Sequence, residues 1–454
     1  MTGPLDGIRV LDFSAMIAGP YCTRLMADLG ADVIKVEPPE GDYMRGRAPL
    51  RDGRSVYFGV INAGKRSIAL DLKHAQGAAL AKDLAAVCDV VVENFRPGVM
   101  RRLGFDYAAL SALNPRLVYC SISGYGQAGT HAHLPAYAPI VQAASGFDTT
   151  AMAHQRAARP PNSAIFIADY LTGVHAFGAC CAALVRRSRN EGGTGRGEYI
   201  DCALMDAMLG MLAYEVAEAQ EPVSQPRPLY QATRARDGFL MVAPLSQGNF
   251  EDMARAMGRE ELTTDPRLAT VGARSTNWDA LMSEVERWAA DRTLAECEAA
   301  MAGGGVPFAR YQSVAQVMAS PYAAARGLFA TVQDGTSEIR ATNPPFKMAG
   351  AGAGTHVPGL GEHGPVVLQQ LLGRSATEVE RLIAEGVLCR PDEKISNTCS
   401  GGVTAAAASC PGRWRAPPSS ASWKSRSARR PGATRSPGRF TSPPARRRSA
   451  CAPC

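Results

Sequence analysis

The sequence predicts an α/β protein: a parallel sheet covered on both faces by helices, joined to a smaller α+β domain. Three observations lead there. Short apolar runs alternate with helical patterns through the first half of the chain, as strands do when both sheet faces are buried. Between Ser224 and Ala235 that alternation stops, and a hairpin-like strand followed by several helices takes its place. Finally, 454 residues with 46% hydrophobic and 20% charged content suit a globular protein with two or three cores.

Taken in order, "GIRVLDF" (7–13) reads as the first strand, and "AGPYCTRLMADLG" as a helix closed by Gly30. "ADVIKVEPP" is a second strand, stopped by Pro38-Pro39. A helix over about 76–87 leads into a third strand, "DVVVENF", and "LVYCSISGYG" is a fourth. "RGEYIDCALMDAMLGML" adds a strand running into a helix. Beyond the break, "DGFLMVAP" has hairpin character, and helices are predicted near 247–258, 276–301 and 314–326. "LFATVQDGTSEIRATNPPFKM" then reads as an antiparallel pair turning at Asp334-Gly335. An amphipathic helix over about 375–385 closes the body. These changes divide the chain into 1–224 (large domain), 225–328 (small domain), 329–394 (return to the large domain) and a tail, 395–454.

The formal net charge of +7 resides in that tail, which holds ten Arg, one Lys and no acid. Without those residues, 38 basic side chains face 42 acidic ones, so the body is mildly acidic and a nucleic-acid partner is not expected. Rich in Ser, Pro, Ala and Arg, the tail cannot bury enough apolar area to offset its ordering entropy. It reads as disorder, or as the translated wrong frame of a GC-rich gene. Truncation after Lys394 is expected to leave the melting temperature unchanged; a loss of several degrees on calorimetry would show that the tail packs on the body.

Eight of the 12 Cys are scattered through the body, with no CxxC pair and no zinc spacing, so no metal site is expected. Their apolar settings suit reduced thiols, and together with the lack of a secretory signal they predict a cytoplasmic protein. Leu171–Val185 is apolar but short of a membrane span and is bounded by Asp169 and Arg186, so a buried helix is expected and no membrane partner.

Asp169 is the residue with the most chemical promise. It follows the apolar run Ala164–Ile167, which reads as buried, and opens a helix whose amides would hold its carboxylate ionised. A helix cap and a nucleophile both fit that position.

"LDGIRVLDFSAMIAGPYCTRLMADLGADVIKVEPPEGD", "NAGKRSIALDLK", "VVVENFRPGVMRRLGFDY", "LVYCSISGYGQAG", "PAYAPIVQAASG", "ADYLTGVHA" and "GTGRGEYIDCAL" occur in this order between Leu5 and Leu388. As a set they resemble the class III coenzyme A transferase family, which includes formyl-CoA transferase, the carnitine CoA-transferases and the α-methylacyl-CoA racemases. The resemblance implies a Rossmann-like large domain, a small domain on long linkers and an interlocked homodimer. It implies a CoA thioester as substrate, a small carboxylic acid as second partner and no tightly bound cofactor. It places the family's nucleophilic aspartate on Asp169, its mobile glycine loop on Gly303, Gly304 and Gly305, and its CoA-binding residues on Leu70, Asp71, Lys73, Asn94, Phe95 and Arg102.

In formyl-CoA transferase a His and a Gln stand where this chain has Ala15 and Ile17, and the Gln helps bind formate or oxalate. The apolar Ala15-Met16-Ile17 wall therefore suits a longer or less polar acyl group. In the racemases a His and an Asp act as paired bases, the His lying in a "GHD" segment; that His falls here on Tyr137 and the Asp following it on Ala138, and a phenol is a poor base at neutral pH. CoA transfer to a carboxylic acid, through an aspartyl mixed anhydride and an aspartyl-CoA thioester, is the expected activity. A 2-methylacyl-CoA racemase is the alternative.

Overall fold

The computed structural model describes residues 2–161, 164–189, 192–221 and 229–389. Six parallel strands form the main sheet: β1 (Arg9–Asp12), β2 (Asp32–Glu37), β3 (Arg66–Ala69), β4 (Val90–Glu93), β5 (Val118–Ser123) and β6 (Tyr199–Ala203). Their order across the sheet is β3-β2-β1-β4-β5-β6. β1 is central, with Leu11 in register with Ile34 on one side and Val91 on the other.

Every residue of β4 and β5 is buried, which explains why those segments lack the alternation of a half-exposed strand. On one face Leu80, Leu84 and Leu110 pack on Leu11, Val91 and Tyr119. On the other, Cys22 and Met26 of the Ala18–Asp28 helix and Cys180 of the Ile167–Ser188 helix pack on Val10, Val90 and Val118. The chain is therefore α/β, as its alternating pattern predicts. β3 was not among the predicted strands, because it opens on the polar pair Arg66-Ser67 and shows no apolar run.

A separate antiparallel sheet joins Phe308–Arg310, Gly238–Val242 and Thr233–Ala235. It has its own core of Leu240, Phe250, Leu281, Trp288 and Met301. The predicted 276–301 helix is two helices, Trp278–Ala290 and Leu294–Ala302. Thr293 restarts the second one: its hydroxyl accepts from Glu296 N while the Glu296 carboxylate accepts from Thr293 N. The Phe329–Asp334 and Ser337–Thr342 hairpin packs Val332 and Ile339 beside Phe58 and Ile61. The proposed junction at 224/225 and the tail 395–454 lie outside the described residues.

The Ile167–Ser188 helix departs from the buried helix expected of it. Val174 is 45% and Val185 57% exposed, and it is the one described helix long and apolar enough to cross a membrane. Its inner face lies tightly on the Ala18–Asp28 helix, because a Cβ on Gly173 would stand 2.7 Å from the Ala18 carbonyl oxygen. This close approach brings the start of the long helix beside the turn that follows β1.

Candidate functional site

Successive strands leave β1 on opposite sides, so a crevice opens beyond the carboxyl ends of β1 and β4. Residues 14–17 fill its floor, and a buried ionic network holds them. Asp12, the last residue of β1, accepts from Ser14 N at 2.9 Å, Thr23 Oγ1 at 2.6 Å and Lys65 Nζ at 3.0 Å, and from the Ser14 hydroxyl. Burial alone would push its carboxyl up; Lys65, Lys35 and the two hydroxyls outweigh burial and hold it at about 2.

Lys35 Nζ donates to the Ser14 carbonyl at 2.7 Å and stands 3.0 Å from Asp42 Oδ2. Asp42 Oδ1 in turn accepts from Met44 N at 3.0 Å and Met16 N at 3.5 Å. Glu37 is gripped by Arg45 through two bonds of 2.7 Å and by Ser67 Oγ at 2.6 Å. Asp12, Glu37 and Asp42 thus balance Lys35, Lys65 and Arg45.

Above this network the backbone is strained. Met16 adopts a φ of +67°, a left-handed conformation that a non-glycine residue rarely takes and that costs about 1 kcal/mol. Asn94 fastens the neighbouring peptide: Ala15 N donates to Asn94 Oδ1 at 2.9 Å, and Asn94 Nδ2 donates to the Ala15 carbonyl at 2.7 Å. Gly19 leaves room for the turn, since a Cβ there would lie 2.2 Å from Ser14 Cβ.

The turn walls a cavity of about 600 Å³. Met16, Ile17 and Met44 line it together with Tyr137, Ala138 and Phe166, and its charged lining residues are Asp169 and Arg47. Asp169 stands in the first turn of the Ile167–Ser188 helix, not at its cap, a position held by Phe166. The run before it is not buried as expected: Ile165 is 68% exposed. Nor does the helix keep the acid's pKa low, as the sequence had suggested. Burial raises the Asp169 carboxyl to about 6, because apolar walls withhold water from it. Beside it, the Tyr170 hydroxyl donates to Tyr57 Oη at 3.0 Å, and Tyr21 packs edge-on against the Tyr170 ring.

The other expected residues are placed less uniformly. Ile17 and Tyr137 line the cavity with Asp169, whereas Ala15 is tied to Asn94, which acts as a clamp on the turn. Leu70 is 0% exposed within the core, so its side chain offers no surface to a ligand. Asp71 Oδ1 accepts from Lys73 N at 2.9 Å, leaving the Lys73 side chain exposed. Phe95 packs at the core's edge, and Arg102 is an exposed cation. Gly303, Gly304 and Gly305 follow the Leu294–Ala302 helix, and none lines this cavity.

Sequence reasoning missed Arg47 and the buried network. The network left a trace, in Asp12, Lys35 and Glu37 standing inside otherwise apolar runs. Arg47 left none, because it lies in a loop without periodicity.

The sequence profile of CoA-transferase family III matches residues 5–364. The succinate–glutarate CoA-transferase of Agrobacterium fabrum is 34% identical over 82% of this chain and 98% of its own length. The succinyl-CoA:glutarate CoA-transferase of Mus musculus is 31% identical over 86% of this chain and 92% of its own. The crystal structure of a CaiB/BaiF family protein from Brucella suis superposes with a TM-score of 0.71 at 33% identity, covering 82% of this chain and all of that one. With the crevice, the acid-bearing helix and these matches in agreement, the chain belongs to CoA-transferase family III.

Proposed function

We propose that this chain moves CoA from an acyl-CoA to a carboxylic acid through covalent intermediates on Asp169. The observation that carries the reading is a carboxylate in an apolar cavity, with its pKa raised by burial to about 6. Such an acid is ionised at neutral pH yet poorly solvated, which favours attack on a carbonyl. Asp169 attacks the thioester, forming a mixed anhydride and releasing CoA thiolate. The thiolate attacks the aspartyl carbonyl, giving an aspartyl-CoA thioester and freeing the donor acid. The incoming carboxylate attacks that thioester, and the thiolate then takes the new acyl group, restoring Asp169. Each addition develops an oxyanion that backbone N–H groups can stabilise.

The two glutarate enzymes among the relatives are named for acids with two carboxylates, which supports dicarboxylic partners for this chain as well. The proton-transfer alternative lacks its base: Tyr137 stands at the cavity where the racemases carry a His, and it is 65% exposed.

Incubation with an acyl-CoA and hydroxylamine is expected to leave a hydroxamate on the peptide containing Asp169, read by mass spectrometry. A parallel incubation in deuterated water, using a 2-methylacyl-CoA without added acid, should place no rapid label on the α-carbon. No hydroxamate together with rapid labelling would replace CoA transfer by α-proton exchange.

A further inference from the structure

We infer that Arg47 binds the second carboxylate of a dicarboxylic acyl group or acid, and so sets a preference for dicarboxylic over monocarboxylic partners; this rests on the CoA-transfer reading of Asp169. Arg47 is half-buried and lines the same cavity as Asp169. Among the described residues, no hydrogen bond or ion pair occupies its guanidinium. Its neighbours differ: Arg45 is held by Glu37 through two 2.7 Å bonds and lies 4.0 Å over the Phe58 ring, and Arg54 pairs with Asp334. A guanidinium removed from much of its water and left without an anion is a binding site awaiting one.

The remaining lining residues narrow the anion's chemistry. Met16, Ile17 and Met44 suit methylenes and offer no second cation. A substrate that reacts at Asp169 and carries a carboxylate at its far end would lay its carbon chain along that wall. Without Arg47, its second negative charge would share a poorly hydrated space with Asp169, where like charges repel strongly. The planar fork of Arg matches a carboxylate through two parallel bonds, which a methyl end cannot use. Tyr57 senses both charges: burial pushes its phenol up, Asp169 adds to that, and Arg47 opposes it.

Glutaryl-CoA and pentanoyl-CoA test the assignment, because they differ at the far end by a carboxylate in place of a methyl. Arg47→Met is expected to lower the kcat/KM ratio of glutaryl-CoA to pentanoyl-CoA about 100-fold, mainly through KM, and Arg47→Lys about 10-fold. An unchanged ratio, or an equal fall for both thioesters, overturns it. Titration calorimetry of both thioesters against Asp169→Asn, with and without Arg47→Met, reads the same preference without turnover. If the wild type transfers no CoA but binding still prefers glutaryl-CoA in an Arg47-dependent way, the transfer reading fails and Arg47 stands. If transfer occurs and neither ratio depends on Arg47, this inference alone fails.

Discussion

Asp169→Asn is expected to lower CoA exchange by at least three orders of magnitude while raising the melting temperature by one to a few degrees. The first effect follows from loss of the anionic nucleophile in a shape that is otherwise kept. The second follows from the acid's environment. Burial raises its pKa from 3.8 to about 6, so the folded chain holds this proton more tightly than the unfolded one. Stability linked to that proton is present below the unfolded value, and it is lost as pH rises through about 6. At pH 7 the ionised acid therefore destabilises the fold, by about 1–2 kcal/mol after allowance for its partial exposure. Asparagine removes that charge. The wild-type kcat/KM should correspondingly rise with pH through an apparent value near 6 and then level off. Exchange at the wild-type level by the Asn variant, with deamidation excluded by mass spectrometry, would return Asp169 to a structural role.

Lys65→Met acts in the opposite direction. The Lys65 ammonium donates to Asp12 Oδ2, Asn62 Oδ1 and the Pro20 carbonyl at 2.8–3.0 Å, all in the interior. Its removal leaves Asp12 buried without its closest cation, a change that typically costs about 3–5 kcal/mol. In the wild type, Asp12 lies below its ordinary value at about 2. Its contribution is therefore present above pH 4 or so and fades as pH falls through the folded value. In the variant Asp12 takes up a proton more readily, so the deficit should shrink in mild acid. Urea unfolding at pH 7 and pH 5 checks both statements. Asp12→Asn added to Lys65→Met should cost less than the sum of the two single losses, because the two groups share one interaction. A Lys65→Met loss below 1 kcal/mol at pH 7 would show that this network does not hold the turn after β1.

The main sheet was legible because fully buried strands such as Val90–Glu93 and Val118–Ser123 are mostly apolar and lack the alternation of a half-exposed strand. The same cue misled at 164–167, where an apolar run read as buried belongs to an exposed approach and a helix start. Composition cannot separate apolar residues that face a core from those that face outward. Asp169 is singled out by its motif, yet its pKa depends on walls contributed by residues 16–17, 44, 137–138 and 166. Those residues meet only in the folded chain. Asn94 shows the converse: it is identifiable from "ENFRPG", but its two bonds to Ala15 give it a mechanical task that no spacing discloses.

The turn at Met16 bears on how such an enzyme can be given new partners. Its peptide groups are anchored from beneath by Lys35, Asp42 and Asn94, so main-chain atoms carry much of the hold there. Of the two flanking side chains, Ile17 is buried at 4% exposure and lines the cavity, whereas Ala15 does not line it. A library confined to apolar side chains at position 17 can thus explore acid selectivity while the scaffold stays constant, whereas a library that reaches Asp12 or Lys35 would mostly return misfolded chains.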